Sequence, residues 1–147
     1  MSEYHPLTES EAIELARRIE GVFPQGAELK CREIGDGNLN LVFHIRDEQS
    51  GRSLIVKQAL PYAKVVGESW PLTLDRSRIE SEALIQEGRL APGLVPKVYK
   101  YDPDLALTVM EDLSDHIIMR SGLMQCRRYP LFADHISTFL ANTLFFT

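Results

Sequence analysis

Apolar residues recur along this chain with two different periods, and the switches between them divide it into elements. After Thr8-Glu9-Ser10-Glu11, the residues Ala12, Ile13, Leu15, Ala16 and Ile19 keep to one face of a helix. The Thr8 hydroxyl can reach the Glu11 amide while the Glu11 carboxylate reaches back, so a capping box starts this helix. Gly21 supplies a left-handed residue that ends it near Glu20. Beyond Pro24 and Gly26 the period drops to two. Residues 29–34 and 40–46 read as strands, the second with Leu41, Phe43 and Ile45 on one face. Between them Gly35-Asp36-Gly37-Asn38 tolerates positive φ and reads as a hairpin turn. A second turn at Gln49-Ser50-Gly51 leads into a strand over 53–59, which completes a three-stranded antiparallel meander.

Residues 60–74, with Pro61, Gly67, Trp70 and Pro71, read as a long loop, and loops of that length are often functional. A helix over 74–87 follows, closed by Gly88. Strands over 95–101 and 105–110 flank the turn Asp102-Pro103-Asp104, and a polar stretch, 111–115, follows abruptly. From Pro130 onward, Phe132, Ile136, Phe139, Leu140 and Leu144 keep helical spacing up to the last residues. Five antiparallel strands with one helix inserted after the third make an α+β unit.

Composition narrows the class. A chain of 147 residues, 44% apolar and 25% charged, suits one soluble globular domain with an ordinary core. Sixteen Lys plus Arg against 21 Asp plus Glu leave a net charge of −5 with no basic run, which argues against a nucleic-acid partner. The two cysteines, Cys31 and Cys126, have no metal-ligand spacing and form no disulfide framework, so reduced thiols are expected. There is no signal-peptide pattern at the start and no run of eighteen apolar residues. We therefore expect a cytoplasmic protein without a membrane partner.

Candidate chemistry gathers at four places. The first is Gly35-Asp36-Gly37, a glycine turn between two strands that lets backbone amides approach a phosphate. The kinase pattern asks for a third glycine where Asn40 stands, and a glycine-rich hairpin without a ligand is the plainer alternative. The second is Lys57, placed among apolar strand residues where an ammonium needs an anion, or else lies at an edge and snorkels to water. The third is the helix after Trp70, where Glu80 and Glu82 point about 200° apart. Glu80 falls within the apolar arc of Ile79, Ala83 and Leu84 and Glu82 outside it, so Glu80 is the candidate partner of Lys57, unless it pairs with Arg76 on its own helix. The fourth is Glu111-Asp112-Leu113 at the end of the last strand, where a two-lobed kinase places its hinge and where an ordinary strand end would look the same. The histidines His5, His44, His116 and His135 show no metal spacing and are assigned no role.

The runs Ile34-Gly35-Asp36-Gly37-Asn38-Leu39-Asn40, Val56-Lys57-Gln58-Ala59, Gly67-Glu68-Ser69-Trp70-Pro71-Leu72-Thr73-Leu74-Asp75-Arg76 and Val109-Met110-Glu111-Asp112-Leu113-Ser114 resemble the N-terminal part of the 5-methylthioribose kinases. That family lies in the aminoglycoside-phosphotransferase-like branch of the protein-kinase fold. The resemblance implies an ATP-dependent kinase that phosphorylates the 1-hydroxyl of 5-methylthioribose in methionine salvage, homodimeric and using magnesium. It implies a nucleotide site made of Gly35, Asp36, Gly37, Asn38 and Asn40, with Lys57 on the phosphates, Glu80 as its helix partner, and Glu111, Asp112 and Leu113 as the adenine-binding hinge. Residues 1–113 then form a kinase-like N-terminal lobe with its hinge, and 114–147 begin a helical C-terminal lobe.

No His-Gly-Asp catalytic loop and no Asp-x-Glu metal motif occurs in the 147 residues. In-line phosphoryl transfer needs such groups, so the chain is expected to be an N-terminal fragment or truncated product, with no catalytic or metal residue of its own and inactive alone. A noncatalytic nucleotide-binding module and a remnant without a ligand are the alternatives.

Overall fold

A computed structural model describes residues 4–35 and 37–146. Helix α1 (Glu9–Arg17) starts at the capping box: the Thr8 hydroxyl accepts from the Glu11 amide at 3.3 Å, and the Glu11 carboxylate accepts from the Thr8 amide at 2.9 Å. Donation to that carboxylate from the Thr8 amide first, and from the Thr8 hydroxyl at 2.8 Å second, holds the Glu11 carboxyl down at about 2. The helix stops at Arg17, ahead of the expected Glu20, and Gly21 then takes φ +77°.

Strands β1 (Leu29–Glu33), β2 (Asn40–Asp47) and β3 (Ser53–Ala59) form the expected meander. The last two strands of the sheet, here β6 (Val98–Asp102) and β7 (Leu107–Glu111), join it in the order β1-β2-β3-β7-β6, with every pairing antiparallel. The α+β architecture and the five-stranded sheet stand as expected. Residues 60–74, expected as a loop, instead fold into a separate ribbon of β4 (Tyr62–Ala63) and β5 (Gly67–Pro71). Helix α2 (Asp75–Leu90) runs through Gly88, and the chain turns at Pro92-Gly93, with Gly93 at φ +80°. A short helix α3 (Met119–Met124), absent from the sequence pattern, precedes α4 (Phe132–Phe145).

Strand alternation gives the sheet two different faces. On one, Phe43, Ile45, Leu54, Val56, Leu107 and Val109 are buried with Ala12 and Ala16 of α1. Gln58 also points into this face with no exposure. Its Oε1 accepts from the Leu7 amide at 2.8 Å, and its Nε2 donates to the His5 and Leu105 carbonyls at 2.8 and 3.0 Å. One side chain thus ties the N-terminal arm and the turn before β7 to β3. The opposite face carries α2.

Helix α2 meets the sheet differently from the sequence reading. Ile79 and Ala83 are exposed, and the side turned to the sheet is Ser77 and Ser81, both buried. The Ser81 hydroxyl is hydrogen-bonded to the Thr108 hydroxyl of β7. Small residues let the helix approach the strands closely, and the hydroxyl pair satisfies the polar groups enclosed by that approach. At the far end, the Asn142 amide of α4 donates to the Leu90 carbonyl at 3.0 Å. Among the described residues no helix is long and apolar enough to cross a membrane.

Candidate functional site

The face that carries α2 is assembled by register. His44 lies opposite Ile55, which lies opposite Met110; Val42 lies opposite Lys57, which lies opposite Thr108. Side chains at paired positions project to the same side, so Val42, Ile55 and Met110 form an apolar floor with Lys57 at one end and His44 at the other.

Lys57 finds its anion on the helix. Its Nζ lies 2.5 Å from Glu80 Oε1, with the lysine 26% and the glutamate 43% exposed, so the pair sits at the mouth of the floor. Glu82 turns away and pairs with Arg78 at 2.8 Å. The alternative pairing of Glu80 with Arg76 does not form. The Arg76 guanidinium donates instead to the carbonyls of Leu39, Thr73 and Leu60, the last two at 3.3 and 3.0 Å, and to Asn40 Oδ1 at 3.3 Å. Arg76 thereby clamps the start of α2 to the end of the glycine turn and to the end of β3. The choice of Glu80 over Glu82 stands in this geometry, but its physical basis is different: Glu80 borders the serine face, while Ile79 and Ala83 of the apolar arc are exposed.

The glycine turn sits above the Lys57 end of the floor, at the start of β2. Gly35 does not take a positive φ, so the tolerance expected of the turn is not used at that position. A Cβ at Gly35 would meet nothing within 4 Å, and one at Gly37 only the Asn40 carbonyl at 3.5 Å, so the missing side chains leave bare backbone open to an approaching group. The Asn38 carbonyl accepts from the Lys64 amide at 2.7 Å, and Asn40 is held by Arg76. Asp36 lies outside the described residues.

At the other end, the predicted hinge residues separate. Glu111 belongs to the face away from the floor, where its Oε2 accepts from the Lys97 amide at 3.0 Å. Asp112 is almost enclosed, its side chain 6% exposed, and accepts from the Ser53 hydroxyl at 2.6 Å, the Ser114 hydroxyl at 2.7 Å, the Ser114 amide at 2.9 Å and His44 Nε2 at 2.8 Å. Burial pushes this carboxyl up, but the bonds from Ser53, Ser114 and His44 together outweigh burial and hold it at about 2. The Leu113 carbonyl accepts from the His116 amide at 2.9 Å, while the Leu113 amide takes no hydrogen-bond partner among the described residues. Two open clefts of about 420 and 440 Å³ flank the hinge and are both lined by Glu111, but neither is lined by Lys57 or Glu80.

The arrangement offers an apolar strip of Val42, Ile55 and Met110 beside the Lys57 ammonium, on the face that also carries His44. The sequence reading missed the three floor residues, and it also missed His44, Ser53 and Arg76. Only the period-two spacing of Val42 with His44 and of Ile55 with Lys57 signalled a shared face. Among the described residues no three His, Cys, Asp or Glu side chains are grouped to hold a metal ion.

Comparison with known proteins adds an independent line. No family model matches the chain. Over 144 residues, 98% of its length, it is 60% identical to the methylthioribose kinase of Geobacillus sp. (strain WCH70) and 58% identical to that of Bacillus pumilus (strain SAFR-032). Over 146 residues it is 58% identical to the methylthioribose kinase of Geobacillus kaustophilus (strain HTA426). The chain spans only 36 to 37% of the length of these relatives. It is a relative of the methylthioribose kinases, aligned along nearly all of its own residues.

Proposed function

We propose that this chain supplies the nucleotide-binding lobe of an ATP-dependent kinase that phosphorylates the 1-hydroxyl of 5-methylthioribose in methionine salvage. The observation that carries the reading is the Lys57–Glu80 pair at 2.5 Å, set between the glycine turn and the apolar floor of a chain 60% identical to a methylthioribose kinase. In this reading residues 1–113 form the lobe and its hinge, and α3 and α4 in 114–147 begin a second, helical lobe.

The adenine ring lies on Val42, Ile55 and Met110, and its edge meets the backbone at 111–113. The amides of Gly35, Gly37 and Asn38 face the phosphates, with Asn40 holding the turn through Arg76. Lys57 places an ammonium on the phosphates, where it offsets the negative charge that shifts during transfer, and Glu80 keeps that ammonium in place. Magnesium, which would offset phosphate charge when bound, finds no three-ligand cluster among the described residues. The base for the acceptor hydroxyl and the metal ligands are assigned to the part of the relatives' length that this chain does not span. A cytoplasmic homodimer is the proposed state of the whole enzyme.

Two measurements test the reading. Saturating ATP should raise the melting temperature of the chain, since a ligand at a hundred times its Kd stabilises by about 2.7 kcal/mol. A protein joining this chain to the remaining length of a relative should transfer the γ-phosphoryl of ATP to 5-methylthioribose. A chain whose melting is indifferent to millimolar ATP, or a joined protein with no transfer, would overturn it.

A further inference from the structure

His44, assigned no role from the sequence, makes one described polar contact, and that contact is to the most enclosed carboxylate near the hinge: His44 Nε2 lies 2.8 Å from Asp112 Oδ2. Because an ionised carboxylate has only acceptors, Nε2 carries the proton and donates it. The same oxygen accepts from Ser53 at the start of β3 and from the Ser114 hydroxyl, while Oδ1 accepts from the Ser114 amide. The Asp112–Ser114 bond closes an Asx turn around Leu113, the residue whose amide is left without a partner among the described residues.

These contacts form a chain of positions. His44 stands on β2, in register with Ile55 and through it with Met110, on the side where the floor lies. Asp112 follows β7 directly, and Ser53 opens β3. The carboxylate therefore joins the middle of β2 and the start of β3 to the segment after β7, and the turn it closes sets the plane of the Leu113 peptide. Without the His44 donor, Oδ2 would keep only two rotatable hydroxyls, those of Ser53 at the start of β3 and of Ser114 within the turn itself.

We propose that His44, acting through Asp112, is a positioning residue for base recognition: it fixes the turn that aims the Leu113 amide at the edge of the bound nucleotide base. The inference rests on the nucleotide reading above. It does not make His44 a catalytic residue, because the imidazole acts only through the carboxylate.

The test combines hydrogen exchange on the ligand-free chain with calorimetric titration against ATP, GTP and inorganic tripolyphosphate, for wild type, His44→Ala and His44→Gln. His44→Ala should speed exchange of the Ser114 amide at least tenfold while leaving Val56 in the core unchanged. It should also weaken ATP about tenfold, leave tripolyphosphate within twofold, and so shrink the preference for ATP over GTP. His44→Gln, which keeps a donor near the Nε2 position, should recover most of both effects. Unchanged Ser114 exchange in His44→Ala refutes the positioning role whatever the ligand data show. Altered exchange with an unchanged ATP-to-GTP ratio limits His44 to a structural part and also overturns the proposal. A wild-type chain that binds none of the three ligands removes the nucleotide reading itself, and the base-recognition role with it.

Discussion

Glu80→Gln compared with Glu82→Gln separates a carboxylate that serves the site from one that decorates the helix. Glu80 holds Lys57 at 2.5 Å, yet the two side chains are 43% and 26% exposed, so solvent screens the pair. Partly exposed ion pairs contribute about 0.2 to 1 kcal/mol, and about 1 kcal/mol moves Tm by about 2 to 4 °C in a domain of this size. Stability should therefore fall little. Function should fall more, because an unanchored lysine regains rotamer freedom of about 2 kcal/mol that must be given up again when the phosphates are bound. Removing a negative charge near the phosphates returns part of this, about 1 kcal/mol at 4 Å in water. The net expectation is a loss of about fivefold to thirtyfold in kcat/KM for ATP in the complete kinase. Glu82→Gln removes one contact from Arg78, whose guanidinium stays bonded to Asp75 at 2.6 and 3.0 Å, so its kcat/KM should remain within about twofold. Steady-state kinetics with thermal melting of each variant decide the matter. If Glu82→Gln costs as much activity as Glu80→Gln, or if neither costs any, the assignment of Glu80 to Lys57 is wrong.

Lys57→Met should lower kcat of the complete enzyme by about 100-fold or more, as expected for loss of a preorganised charge, with a smaller change in nucleotide affinity; near wild-type turnover would contradict the site. Gln58→Leu leaves the buried Leu7 amide without its acceptor and takes a donor from the Leu105 carbonyl, so the chain should lose about 2 to 4 kcal/mol in urea unfolding. Asp112, held at about 2 against an ordinary 3.8, stabilises the fold above about pH 4 and loses that contribution as pH falls towards 2, about 2 kcal/mol in all; Asp112→Asn should flatten this acid limb of the stability curve. Helix α4 exposes Phe132, Ile136, Leu140, Leu144 and Phe145, so light scattering should find the chain self-associating, and Leu140→Glu with Leu144→Glu should reduce it.

The parts of the fold that were legible in the sequence are those fixed by short-range chemistry. The Thr8–Glu11 capping box and the alternation of Leu41, Phe43 and Ile45 are complete within a few residues, and α1 starts and β2 forms where they were expected. The β4–β5 ribbon was illegible because β4 is only two residues long and four of the five residues of β5 are exposed, so no alternation marks it. Gly88 signalled a helix end that the Pro92-Gly93 step makes instead, and α3 has neither a side-chain cap nor enough length to show a period. In the site, Lys57 stood out because a cation among strand residues needs an anion. His44 did not, because its partner lies 68 positions away. The floor residues Val42, Ile55 and Met110 are ordinary apolar strand residues, and only the pairing of three strands places them side by side.

The serine face of α2 explains why the geometry at Lys57 can be exact in register without a large apolar interface behind it. Apolar packing is non-directional and tolerates sliding of a helix along a sheet, whereas hydrogen bonds close at only one register. Helix α2 is set on the strands by the Ser81–Thr108 hydroxyl pair and by the Arg76 guanidinium, which reaches the Leu39 carbonyl after the glycine turn and the Leu60 carbonyl after β3. Glu80 follows Arg76 by one helical turn and precedes Ser81 by one residue, so both fixed points flank it directly. The Lys57 ammonium, the glycine turn and the start of α2 consequently move as one unit. A displacement of the helix that broke the Lys57–Glu80 pair would have to break the Arg76 bonds to Leu39 and Leu60 as well, which couples the position of the Lys57 ammonium to the glycine turn.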